Sequence, residues 1–335
     1  MSQRKVRWGV LGAARIATRK VIPAMQRAAH CEIVGLASRE RSKADAAARE
    51  LGIRKAYGSY EGLLADPEID AVYNPLPNHL HAPWSIRALE SGKHVLCEKP
   101  IALNTAEVES LIAARDRSGR KIQEAFMVRT HPQWLGVRDL VRSGRIGALR
   151  SIVSYFAYFN DDPANVRNVA AWGGGALFDI GCYPITISRF LFGEEPRRVS
   201  GLVERDPRFG IDRLTSATLD FPSGQSVFTV ATQLVPAQRV QVLGTRGRIE
   251  VEIPFNAPND RPCRVFVDDG RDVFGGGLET LTFPTCDQYE IQGELFSRAI
   301  LDDTPVPIPL EDALANMRVL EAVFRAADSG AWVAP

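Results

Sequence analysis

Three side chains stand in surroundings that suggest proton transfer: Lys99, Asp179 and Tyr183. Lys99 follows His94-Val95-Leu96-Cys97-Glu98 and precedes Pro100, so an apolar run that reads as a short buried strand ends in two charges. Open α/β sheets bind ligands outside the carboxyl ends of their strands. A lysine at that place overhangs the expected ligand site, and Pro100 fixes the turn behind it. Asp179 and Tyr183 follow Gly173-Gly174-Gly175, a run that lets the backbone pass close to a neighbour before a helix starts. Four residues apart, an acid and a phenol share one helical face. Tyrosine titrates near about 10, and neighbouring cations lower that value and make the phenol a usable base. By spacing alone the pair reads first as a helix-start acid favoured by the macrodipole and a core tyrosine.

A second constellation lies at the amino end. Gly9-Val10-Leu11-Gly12-Ala13-Ala14-Arg15-Ile16-Ala17 follows the first apolar run and opens a helix. Against the glycine-rich dinucleotide fingerprint, Gly12 fills the first position, Ala14 the second and Ala17 the third. The first needs a tight turn and the second a close approach to pyrophosphate, so Ala14 is a departure. The helix N-terminus, with Arg15 and Ile16, would hold the diphosphate. At the end of the second strand an acid selects NAD and an arginine accommodates a 2′-phosphate. The residues there are Ser38 and Arg39, with Lys43 close by, which favours NADP over NAD.

These groups need rigid elements to place them. Val6 to Leu11, Glu32 to Ala37, Ala71 to Tyr73 and His94 to Cys97 read as buried strands. Helical periodicities alternate with them, one capped by Ser42 and one by Asn104 or Thr105. Strand–helix alternation with continuous apolar strands predicts a doubly wound parallel sheet over residues 1–124. Residues 125–335 change period. Ile249, Val251 and Ile253 alternate with Glu250 and Glu252, and Pro222-Ser223-Gly224 and Gly244-Thr245-Arg246-Gly247 read as hairpin turns. The prediction is an α/β plus α+β chain, its second domain a large open, mainly antiparallel sheet packed on helices. Those helices fall near 176–191, 287–301 and 311–328.

Composition narrows the class. With 335 residues, 45% hydrophobic and 24% charged, the chain can fill two ordinary domains. A net charge of +1 gives no sign of nucleic acid or anionic membrane as partner. Five scattered cysteines without a Cys-x-x-Cys suit free thiols in a reducing compartment. No export leader is read at Met1-Ser2-Gln3-Arg4-Lys5, and no apolar run reaches membrane-spanning length, so a soluble cytoplasmic protein is expected. His79 and His81 lack further ligands for a metal.

Four ordered stretches together resemble the Gfo/Idh/MocA oxidoreductase family: Gly12 to Ala17, Pro77-Asn78-His79-Leu80-His81, Gly92 to Pro100, and Gly173 to Gly181. The resemblance implies that Lys99 assists proton transfer beside the nicotinamide and that Asp179 orients the substrate. Tyr183 matches the acid/base position, which is tyrosine in the glucose–fructose oxidoreductase and dihydrodiol dehydrogenase branch. Pro77, Asn78, His81 and Glu98 resemble cofactor-lining residues, and Arg167 and Trp172 stand where that branch places further cofactor contacts. The implied activity is NADP-dependent hydride transfer to or from a sugar or polyol, in a dimer formed through the open sheet. The family also permits an NAD-dependent redox-neutral glycosidase and a non-catalytic nucleotide-binding regulator.

Overall fold

The computed structural model describes residues 4–335; Met1-Ser2-Gln3, on which the expectation about a leader partly rests, lie outside the described residues. Contacts divide the chain into two units, the first reaching Thr130 and resuming over Asp287–Leu314, the second comprising His131–Cys286 and Ala315–Pro335.

The first unit is built on six strands: β1 Val6–Leu11, β2 Cys31–Ala37, β3 Lys55–Tyr57, β4 Ala71–Asn74, β5 His94–Glu98 and β6 Ile122–Ala125. Their order is β3-β2-β1-β4-β5-β6, and every pair is parallel. The apolar runs are continuous because β1, β4 and β5 are covered on both faces. Strand order reverses between β1 and β4, so the loops leaving these two strands open a crevice at the carboxyl edge. The loops after β2 and β5, with Ser38 and Lys99, leave the same edge. The helix Gln288–Leu301 belongs to this unit. Its Phe296 packs on Trp8 at 5.8 Å between ring centroids, and Ser297 Oγ accepts a 3.1 Å hydrogen bond from the Trp8 indole. One predicted cap moves: the helix starts at Arg41, so Ser42 lies inside its first turn, whereas Asn104 caps its helix by accepting from the Glu107 amide.

The second unit carries eight strands: β7 Leu149–Phe159, β8 Arg198–Arg205, β9 Asp212–Phe221, β10 Gly224–Ala231, β11 Gln233–Gly244, β12 Arg248–Val251, β13 Cys263–Asp268 and β14 Leu278–Phe283. Their order is β14-β13-β12-β11-β7-β10-β9-β8. Both predicted hairpin turns join neighbours, β9 to β10 and β11 to β12. Only the β7–β10 pair is parallel. The helix Cys182–Phe192 packs on one face, where Ser188 Oγ and Ser226 Oγ lie 2.7 Å apart. The other face exposes Val153 and Tyr155 of β7 and Val227 of β10, with Val227 in register with Val153. Among the described residues no helix is long and apolar enough to cross a membrane.

Candidate active site

The first unit places its expected groups along the carboxyl edge of its sheet. Gly12 has φ +101°, and its amide donates to the Ala37 carbonyl at 2.8 Å. A Cβ there would lie 3.1 Å from Leu76, so the tight turn calls for glycine on both grounds. The helix that follows contains a π-turn over Ala17–Val21, and Ala17 is fully buried. Arg15 is exposed and Ile16 half-buried at the start of that helix. At the end of β2, Arg39 is exposed; its charge opposes the burial that raises the Tyr60 pKa and acts on His79, whose pKa burial and then Arg39 hold below the ordinary value. Lys43 instead contacts Glu40 at 2.6 Å, both exposed, so its direct place at the cofactor is not supported by its own partner. The turn, the helix start, the Ser38 hydroxyl and the Arg39 guanidinium form a donor set that fits a dinucleotide carrying a 2′-phosphate.

The Lys99 loop is fixed by side chains on both sides of it. Tyr73 donates to Glu98 Oε1 at 2.6 Å, and Ile101 N donates to the buried Glu124 Oε1 at 2.9 Å. Glu107 accepts from Leu103 N, closing the helix cap. The Lys99–Pro100 peptide is cis. His81 is buried, with Nδ1 2.7 Å from the Pro100 carbonyl and Nε2 2.6 Å from the Leu76 carbonyl. Burial first, and the Lys99 charge among lesser causes, push its pKa down to about 4. The two contacts pull the other way, since only the doubly protonated ring satisfies both carbonyls. Either way both nitrogens face main chain. The expected cofactor contact of His81 is therefore corrected to an indirect role: it clasps the loops that carry Pro77-Asn78 and Lys99. Asn78 and Pro77 are half-buried in the loop after β4.

The second unit explains its three glycines. A Cβ on Gly174 would lie 2.4 Å from the Arg167 carbonyl, and one on Gly175 would lie 1.9 Å from Asp212 Oδ1. Gly175 N donates to the Arg167 carbonyl at 2.9 Å. The backbone thus passes against the 167–169 turn and a buried carboxylate before a π-turn forms over Leu177–Gly181. Such turns recur at functional sites. Asp179 lies within it. Its Oδ2 accepts from Tyr158 at 2.6 Å and from Arg167 Nε at 2.8 Å. Arg167, expected at the cofactor, has Asp179 as its partner through Nε, and the negative charge of Asp179 is the first cause of its raised pKa. Its side chain is 45% exposed, so solvent screens the pair. Trp172 is exposed on the same approach to the glycines.

Tyr183 is buried against Phe156 and Phe255, at 5.7 and 5.3 Å between ring centroids, and acts on the Arg167 charge. Asp212, a residue that motif reading missed, accepts from Leu177 N at 2.7 Å and Thr215 Oγ1 at 2.9 Å. Burial pushes its carboxyl up to about 6 against those two bonds. Among the described residues no three His, Cys, Asp or Glu side chains group to hold a metal ion.

Comparison with known proteins shows the family and the fold. Residues 6–126 match the family described as an oxidoreductase family with an NAD-binding Rossmann fold, and residues 134–250 match the GFO/IDH/MocA C-terminal domain. A D-xylose 1-dehydrogenase (NADP(+)) of Haloferax volcanii is 37% identical over 97% of this chain and 98% of its own length. The structure of an aldose-aldose oxidoreductase from Caulobacter crescentus complexed with glycerol superposes with TM-score 0.91 at 30% identity, covering 99% of this chain and 100% of the other. A 3-ketoreductase from Actinomadura kijaniata, in complex with NADP and TDP-benzene, superposes with TM-score 0.90 at 29% identity over 96% of this chain and 98% of the other.

Proposed function

The chain belongs to the Gfo/Idh/MocA oxidoreductase family, and on that premise we propose that it moves hydride between NADP and a CH–OH group of a sugar or polyol. It is an NAD(P)-dependent oxidoreductase. The observation that carries the reading is Asp179, gripped by Tyr158 and Arg167 one helical turn before the buried Tyr183. NADP, when bound, supplies the hydride acceptor. The Gly12 turn, Arg15 and Ile16 at the helix start, Ser38 and Arg39 would hold it, with Ala14 at the pyrophosphate and Pro77, Asn78, Glu98 and Trp172 further along. Tyr183 takes the hydroxyl proton, assisted by the positive charge of Lys99. Asp179 accepts a hydrogen bond from a neighbouring hydroxyl and so fixes which carbon reacts.

Oxidation of an aldose at C1 is the leading direction, supported by the D-xylose dehydrogenase relative. Reduction of a keto-sugar or dicarbonyl is the second, supported by the likeness to the 3-ketoreductase. A screen at about 340 nm of sugars and polyols against NADP and NAD tests both. The expected result is turnover with NADP on an aldopentose such as D-xylose. Silence across the panel despite tight cofactor binding sinks the reading in favour of a regulator, and sugar release without net NADPH change favours the glycosidase. Arg39→Ala should raise KM for NADP by about tenfold or more, the loss of one charge-assisted phosphate contact, and leave NAD kinetics unmoved.

We assign the open sheet face, with Val153, Tyr155 and Val227, to a second copy of the chain, because an apolar patch of this kind marks an interface. Light scattering at micromolar concentration should report twice the chain mass, and Tyr155→Glu should halve it. The five free cysteines, four of them buried, support a cytoplasmic location.

A further inference from the structure

We infer that Tyr158 and Arg167 are positioning residues that hold Asp179 as an ionised, rotationally fixed hydrogen-bond acceptor. The inference rests on the reading of Asp179 as the group that orients a substrate hydroxyl.

Three separate pieces of chain converge on one carboxylate oxygen. Tyr158 comes from the helix-covered face of β7, sharing the parity of the buried Ile152, Ser154 and Phe156. Arg167 comes from the turn Val166–Asn168. That turn is held by Asn165 Oδ1, which accepts from Arg167 N at 3.1 Å, and by the Gly175 amide on the Arg167 carbonyl. Asp179 comes from the π-turn. Both donors meet Asp179 Oδ2. A guanidinium can only donate and carries a fixed positive charge, so with its Nε 2.8 Å from Oδ2 the arrangement favours the carboxylate over the carboxylic acid. An acceptor-only carboxylate held at one angle recognises a ligand O–H and rejects an acceptor in the same place.

Burial first, then the Asp179 charge, pushes the Tyr158 phenol well above its ordinary value, with Asp212 adding to it and Arg167 opposing. Tyr158 therefore stays a proton donor to Asp179. Arg167 faces Asp179, Tyr158 and Tyr183 together.

The test uses Tyr158→Phe, Arg167→Met and Arg167→Lys in the full chain. In protein labelled with 13C at aspartate carboxyls, the Asp179 resonance is the one missing from Asp179→Asn. Its titration should move to higher pH by about one unit in Tyr158→Phe and Arg167→Met, the loss of a hydrogen bond to a charged group. Arg167→Lys should keep most of the wild-type value. On D-xylose, kcat/KM should fall about tenfold with its acidic limb displaced by the same amount, while the melting temperature holds. An unmoved Asp179 titration in both variants overturns the inference, whatever the activity does. A displaced titration with wild-type activity in Asp179→Asn leaves the positioning standing and overturns the substrate-orienting role.

Discussion

Lys99→Met keeps NADPH binding and loses nearly all turnover. Methionine preserves the length and apolar stem of the side chain and removes only the ammonium. The loop itself is set by other groups: Tyr73 on Glu98, His81 on the Pro100 carbonyl, Glu124 on Ile101 N and Glu107 on Leu103 N. Its backbone therefore survives the change. The dinucleotide turn at Gly12 and the Arg39 guanidinium lie in the loops after other strands of the same sheet and are untouched. A positioned proton-transfer group contributes about 10²- to 10⁴-fold, so kcat should fall by that order while KM for NADP changes little. Fluorescence titration with NADPH reads the binding, and initial rates on the best substrate of the panel read the turnover. A kcat near wild type sinks the role of Lys99. Weakened NADPH binding with a proportionate rise in KM assigns Lys99 to the cofactor alone.

The sequence makes the first unit legible because its signals are local. A strand, its terminal glycine and the helix start occupy neighbouring residues, so Gly12, Ser38 and Lys99 could each be placed at a strand end before any packing was known. The stretch from Gly173 to Tyr183 is only half legible. Three consecutive glycines announce a close approach, but not what is approached. The Arg167 carbonyl and the Asp212 carboxylate are long-range partners that no spacing rule supplies. Arg167 shows what position-by-position inference leaves out: its neighbourhood suits a cofactor contact, but nothing local reveals that its Nε also bonds Asp179. Tyr158 carried a usable signal, since alternation along Leu149–Phe159 puts it on the covered face with Phe156. The return of the chain to the first unit at Asp287 had none, because the apolar stripe of Gln288–Leu301 fits any core.

Gly175→Ala should destabilise the second unit by roughly 3–5 kcal/mol, the range of a strained backbone combined with a disrupted buried polar contact. Gly175 holds φ +113°, a conformation that L side chains rarely adopt. The new methyl would stand 1.9 Å from Asp212 Oδ1, and that carboxylate cannot rotate away without releasing Leu177 N and Thr215. Releasing Leu177 N frees the first turn of the segment that carries Asp179, so kcat/KM should fall along with stability. Asp212 also has a pH signature. Burial raises its carboxyl from 3.8 to about 6, so across that window the folded chain holds a proton that the unfolded chain has lost. Stability therefore falls as pH rises through it, and Asp212→Asn should remove that slope. Thermal melts of Gly175→Ala, Asp212→Ala and the double variant decide the matter. If the clash with Asp212 dominates, the double variant loses far less than the two single losses added together. Additive losses would mean that backbone strain at Gly175 alone sets the cost, and that the carboxylate does not hold the catalytic turn through this contact.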